Sequence, residues 1–158
     1  MKKSLVGVLS AIAGCVAGGL TVGVKSDKEV QKWRGLSNKH LEMIKLYDQW
    51  FATKQEGKSV ADYLKSEGIK TVAIYGMSFI GQRLIEELRD SGIEVKYGID
   101  KNRDRIYTDI DIVTPEDNIE EVDVIIVTAF YFFNEIEDLL MKKTDSRILS
   151  FEELVYEL

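Results

Sequence analysis

The chain is poor in the residues that carry most covalent and metal chemistry. Among 158 residues it has one cysteine, Cys15, one histidine, His40, and one proline, Pro115. A disulfide scaffold is excluded, and few parts are left for a structural zinc site, a Cys-His nucleophile or a Ser-His-Asp triad. Basic charge is scarce as well: 21 Lys+Arg stand against 27 Asp+Glu, and from residue 25 onward the balance is 19 against 27, or −8. Duplex nucleic acid draws its affinity from Lys and Arg on phosphates, so no nucleic-acid partner is expected. What is present, 45% hydrophobic and 30% charged residues, suits one globular domain with an appendage.

The appendage is the uncharged run Leu5 to Val24, twenty residues long. At about 1.5 Å per residue a helix of that length covers roughly 30 Å, one bilayer core. Residues 1–24 are therefore expected to be a membrane anchor with one transmembrane helix. Two rivals stay open: a cleaved secretory signal led by Lys2 and Lys3, and a lipoprotein signal in which Ile12-Ala13-Gly14-Cys15 serves as the lipobox. Lys25, Lys28, Lys32, Arg34 and Lys39 outnumber the charges on the amino side, which places the carboxyl-terminal domain in the cytoplasm. Gly14 and Gly18 have the GxxxG spacing that lets two membrane helices approach, so a homodimer is one expected partner state.

Residues 25–57 read as an amphipathic helical linker. Val30, Trp33, Leu41, Ile44, Tyr47, Trp50 and Phe51 recur at threes and fours, the pattern of one amphipathic helix or of two, with Ser37-Asn38 as the cap of the second. The stripe is expected to pack on the domain that follows; an interfacial anchor or partner surface is the alternative.

From residue 58 to 158 helix and strand alternate. Ser59 caps a helix through Lys65, and strands are expected at Thr71–Tyr75, Glu94–Ile99, Asp111–Val113, Val122–Thr128 and Arg147–Ser150. Helices are expected over Gln82–Asp90, Phe132–Lys143 and Phe151–Tyr156. Right-handed crossovers then give a small α/β domain, a doubly wound, Rossmann-like parallel sheet.

One motif points to chemistry. Gly76-Met77-Ser78-Phe79-Ile80-Gly81 lies where strand gives way to helix, and Asp100 ends the next strand 24 residues after Gly76. That is the layout of a dinucleotide fingerprint: a glycine for the tight turn, another for close helix packing, helix N–H groups for phosphate and an acid for a ribose diol. Ser78 stands where the fingerprint has its middle glycine. The competing reading is a tight turn with no ligand, in which Asp100 merely caps the bend before Asn102.

Residues 70–130, through KTVAIYGMSFIGQRLIEEL, IEVKYGIDKN and EEVDVIIVTA, resemble the Rossmann-like domains of bacterial surface-polysaccharide pathways, in particular the amino-terminal domain of sugar O-acyltransferases. The resemblance implies a bound nucleotide-sugar or NAD(P), with Gly76, Gly81 and Asp100 matching by position and Tyr107 to Pro115 matching a short segment that replaces a crossover helix. The hexapeptide repeats of those acyltransferases are absent, so their transfer chemistry does not carry over.

The candidate ligand residues are thus Gly76, Met77, Ser78, Phe79, Ile80, Gly81, Asp100, Lys101, Thr128 and Ala129, the last two at the carboxyl end of a central strand. No catalytic or metal residue is assigned. Tyr97 and Lys101 have Tyr-x-x-x-Lys spacing but straddle a strand end, Lys101 and Arg103 are candidate phosphate contacts, and one or two of Phe130 to Phe133 are expected at the pocket. Glu86-Glu87, Glu120-Glu121 and Glu152-Glu153 read as solvated helix faces. The functional expectation is a membrane-tethered nucleotide-binding module, a sensor or accessory subunit of envelope polysaccharide synthesis. An NAD(P)-dependent oxidoreductase subunit working with a partner, and an interaction protein without ligand, are the alternatives.

Overall fold

A computed structural model describes the backbone of residues 2–158 and the side chains of residues 28–158. The expected anchor Leu5 to Val24, with Cys15, Gly14 and Gly18, lies outside the described side chains. Among the described residues no helix is long and apolar enough to cross a membrane. The chain forms two units, Met1–Ile44 and Lys45–Leu158.

Helix α1 runs from Lys2 to Gln55 without a break at Ser37-Asn38, so of the two alternatives the segment is one helix. The segment has no proline, and a lone Ser or Asn inside a helix costs only a few tenths of a kcal/mol. The stripe also divides. In the first unit Val30, Trp33, Leu36, Leu41 and Ile44 are exposed, and in the second Phe51 is exposed whereas Leu46, Trp50 and Thr53 are buried. At 100° per residue Phe51 points away from Leu46 and Trp50, so within the second unit Leu46 and Trp50 pack on the domain and Phe51 does not. Within the second unit the expectation that the stripe packs on the domain holds at Trp50 and not at Phe51.

In the second unit α2 spans Val60–Ser66, β1 Thr71–Tyr75, α3 Phe79–Leu88, β2 Glu94–Ile99, β3 Ile112–Val113, β4 Val124–Val127, α4 Phe133–Leu140, β5 Arg147–Ser150 and α5 Phe151–Glu157. Ser59 caps α2, its hydroxyl accepting from Asp62 N at 3.0 Å. Every strand pair is parallel, in the order β3-β2-β1-β4-β5. The protein is therefore α/β with a five-stranded parallel sheet. Expected bounds move: β3 shortens to Ile112–Val113, α3 starts earlier, at Phe79, α4 begins at Phe133 because Phe130–Phe132 winds as a 3-10 turn, and β4 begins at Val124 because the Asp123 carboxylate accepts from the amides of Lys70 and Thr71.

Strand side chains alternate between two cores, as a sheet covered on both faces requires. Ala73, Tyr75, Tyr97, Ile99, Ile125 and Val127 join Ile136 and Leu140 of α4 on one face. Val72, Ile74, Val124 and Ile126 are fully buried on the other, where α3 lies close enough for Gly81 to meet Ile74. The stretches 100–111 and 114–123 hold only a 3-10 turn at Arg103–Arg105, so no helix crosses beside α4. A cleft remains between α4 and the carboxyl ends of β1 and β2.

Candidate functional site

The β1–α3 turn is built from residues 76–78. Gly76 has φ +96°, and a Cβ there would stand 2.8 Å from Thr128 Oγ1 and 3.2 Å from Ala129 N. Glycine is required by conformation and by space. In the first turn of α3, a Cβ on Gly81 would stand 2.2 Å from the Gly76 carbonyl oxygen. Only a hydrogen at that position lets the helix rest on the turn.

Asp100 fastens this turn to the neighbouring strand. Its Oδ2 accepts from Met77 N at 2.9 Å, and its Oδ1 accepts from Asn102 N at 2.8 Å and from the Asn102 amide at 3.4 Å. A carboxylate has about four acceptor positions, so one is left for a further donor. Thr128, 2% exposed, holds the turn from the β4 side, its hydroxyl lying 2.5 Å from the Gly76 carbonyl and 3.2 Å from that of Tyr75. Met77 and Ile80 are buried beneath the turn, whereas Ser78 and Phe79 are exposed. Ser78 occupies the N-cap position of α3, yet its side chain makes no capping bond, and the first turn of α3 has no acidic residue. The leading N–H groups of the helix thus have no side-chain cap, and Ser78 is exposed beside them, the arrangement that favours an anion at a helix start.

A cleft of about 480 Å³ opens beside the turn. Of the ten residues expected at the site, Gly76, Asp100, Lys101 and Ala129 line it. Met77, Ile80, Gly81 and Thr128 instead form the framework under the turn, and Ser78 and Phe79 lie on its outer side. The cleft walls also include Phe132, one of the aromatic run expected there, and Tyr75, Asn102, Glu135, Ile136 and Leu139, which motif reading missed. The helical spacing of 132, 135, 136 and 139 was the available signal, since residues three and four apart share a face. Of the aromatic run, Phe132 reaches the cleft, Phe133 packs against the sheet core, and the rings of Phe130 and Tyr131 lie 4.1 Å apart.

Tyr97 and Lys101 form no proton-trading pair. The Tyr97 hydroxyl donates to the Glu120 carbonyl, and burial, with the Glu120 carboxylate nearby, pushes its pKa up to about 12. Arg103 pairs with Asp117 at 3.3 Å and does not line the cleft. Among the described residues no cluster of His, Cys, Asp and Glu is arranged to hold a metal ion. The reading of Glu86-Glu87 as a solvated face needs correction at Glu87. Its side chain is 4% exposed, pairs with Lys54 at 2.7 Å, and accepts from Trp50 Nε1 and from Val60 N, each at 2.7 Å. This is a structural junction of α1, α2 and α3, on the side of the sheet away from α4.

Compared with known proteins, the chain matches no family model, no curated protein and no solved structure.

Proposed function

We propose that residues 45–158 bind a nucleotide-type ligand, NAD(P) or a nucleotide-sugar, in a Rossmann-like domain held at the cytoplasmic face of a membrane by residues 5–24. The role that fits is a sensor or accessory subunit of an envelope polysaccharide system, since the cleft gathers binding groups and no nucleophile-base pair. The observation that carries the reading is the position of the cleft: it lies under α4 at the carboxyl ends of β1 and β2 and reaches Ala129 after β4, next to the β1–β4 boundary where the sheet order reverses direction, beside a glycine turn whose helix has no acidic residue in its first turn. Open parallel sheets bind ligands at that switch point. Asp100 supports it with one acceptor position beside the turn.

A second reading, an interaction module without ligand, is favoured by a different fact: Gly76, Gly81 and Asp100 each have a packing or hydrogen-bonding duty in the fold itself. Thermal unfolding of the full chain against NAD(H), NADP(H), UDP-sugars, AMP and coenzyme A separates the two. A ligand at about 100 times its dissociation constant adds roughly 2.7 kcal/mol of stability. A specific upward shift supports the binding module; a folded protein with a flat panel supports the interaction module.

A further inference from the structure

Tyr75 carries a group that the fold does not use. It ends β1, is 6% exposed and lines the cleft. Its hydroxyl makes no hydrogen bond among the described residues, while no side-chain oxygen there is both sealed from solvent and unpaired. The hydroxyl is therefore unpaired yet not sealed from solvent, on a residue that lines the cleft. Burial, with the Asp100 and Glu116 carboxylates nearby, raises its pKa above the ordinary phenol value, so at neutral pH it is a neutral donor and acceptor.

The surroundings select what it meets. Asp100 and Glu135 face the cleft against the single cation Lys101, which disfavours an anion in the interior. The α4 wall, Phe132, Ile136 and Leu139, is apolar. A volume of about 480 Å³ is that of a small-molecule site. We propose that the cleft takes a neutral hydroxylated ring, a sugar or ribose, with the Tyr75 hydroxyl as its recognition donor and the α4 wall against its C–H face. Remaining ring hydroxyls donate to Asp100 and Glu135, and Asn102 serves either polarity. The phosphate of the same ligand then lies outside the cleft, at the start of α3. This inference rests on the nucleotide-type reading above and assigns which part of the ligand goes where.

The test compares full-length wild type with Tyr75→Phe, using UDP-glucose and ADP-ribose as ring-bearing probes and inorganic pyrophosphate as the probe without a ring. Because the fold leaves the hydroxyl unpaired, Tyr75→Phe is expected to unfold at an unchanged midpoint. It is expected to bind the better ring-bearing probe about 3- to 10-fold more weakly, the loss of one hydrogen bond, with pyrophosphate binding unaltered. Equal affinity of both proteins for the ring-bearing probe overturns the assignment of Tyr75 and leaves the nucleotide reading standing. A lowered midpoint, or equal losses for pyrophosphate and for the ring-bearing probe, overturns it too, because the hydroxyl then serves the turn. Wild type that binds none of the probes overturns both.

Discussion

Glu87 offers the sharpest test of how the domain is held to the end of α1. Glu87→Ala removes the acceptor of two buried donors, Trp50 Nε1–H and Val60 N–H, each at 2.7 Å, and the partner of Lys54. A hydrogen bond to a charged group contributes about 1.5 to 3 kcal/mol, and an unpaired buried donor costs its desolvation. Lys54 is 41% exposed and regains water, so its share is at most about 1 kcal/mol. With water partly compensating at the start of α2, the expected loss is about 3 kcal/mol, a midpoint drop of roughly 10 °C for a domain of this size. Urea denaturation followed by Trp50 emission in a Trp33→Phe background measures it. Lys54→Ala in the same assay is expected to lose no more than about 1 kcal/mol. A loss below about 1 kcal/mol for Glu87→Ala would refute the junction, because the two donors would then be satisfied without the carboxylate.

Other consequences are as direct. Gly81→Ala forces a methyl group onto the Gly76 carbonyl and is expected to cost about 1 to 3 kcal/mol in denaturation, so weaker ligand binding by that variant reports a displaced turn. Asp123 is held below the ordinary carboxylate range by the amides of Lys70 and Thr71. A lowered folded pKa gives stability that is present above the unfolded value and lost as pH falls through the folded one, so Asp123→Asn is expected to flatten the decline of the unfolding midpoint below about pH 4. Tyr97 has the opposite sign: its folded pKa lies above the unfolded one, so its contribution is complete below about pH 10 and is lost towards pH 12. Tyr97→Phe should show a smaller alkaline loss of stability. Asp100→Asn keeps one acceptor of two, and amide exchange at Met77 or Asn102 is expected to accelerate; unchanged exchange at both would show that the turn is not fastened through this carboxylate.

Much of the fold was legible because the strands are short apolar runs bounded by polar turns. Thr71–Tyr75, Glu94–Ile99 and Arg147–Ser150 appear with the expected ends, and Ser59 caps the helix it was expected to cap. The glycine turn was legible as a turn, since a strand that meets a helix at Gly-x-x-x-x-Gly has few other geometries. Its chemistry was less so. Asp100 could be placed at the end of β2 and its cap on the bend at Asn102 was one of the two readings, but its bond to Met77 was not legible, since it depends on how deeply the turn packs over Gly98. Of the α4 wall only Phe132 belonged to a run expected at the pocket; Glu135, Ile136 and Leu139 were missed because a motif search follows loops, and they gain meaning only when the missing crossover helix leaves their face open. Glu87 was misread because an acidic pair on a helix usually faces water; only tertiary contact brings Trp50, Lys54 and Val60 to it.

The central claim is that a nucleotide-type ligand sits at the carboxyl ends of β1, β2 and β4. The most direct measurement is amide NMR of the ¹⁵N-labelled full chain in detergent, titrated with NAD, UDP-glucose and ADP-ribose in turn. The account predicts saturable shifts for one of them, centred on Gly76, Ser78, Phe79, Asp100, Asn102 and Ala129. Shifts centred elsewhere, or none with any of the three in a folded protein, would contradict it.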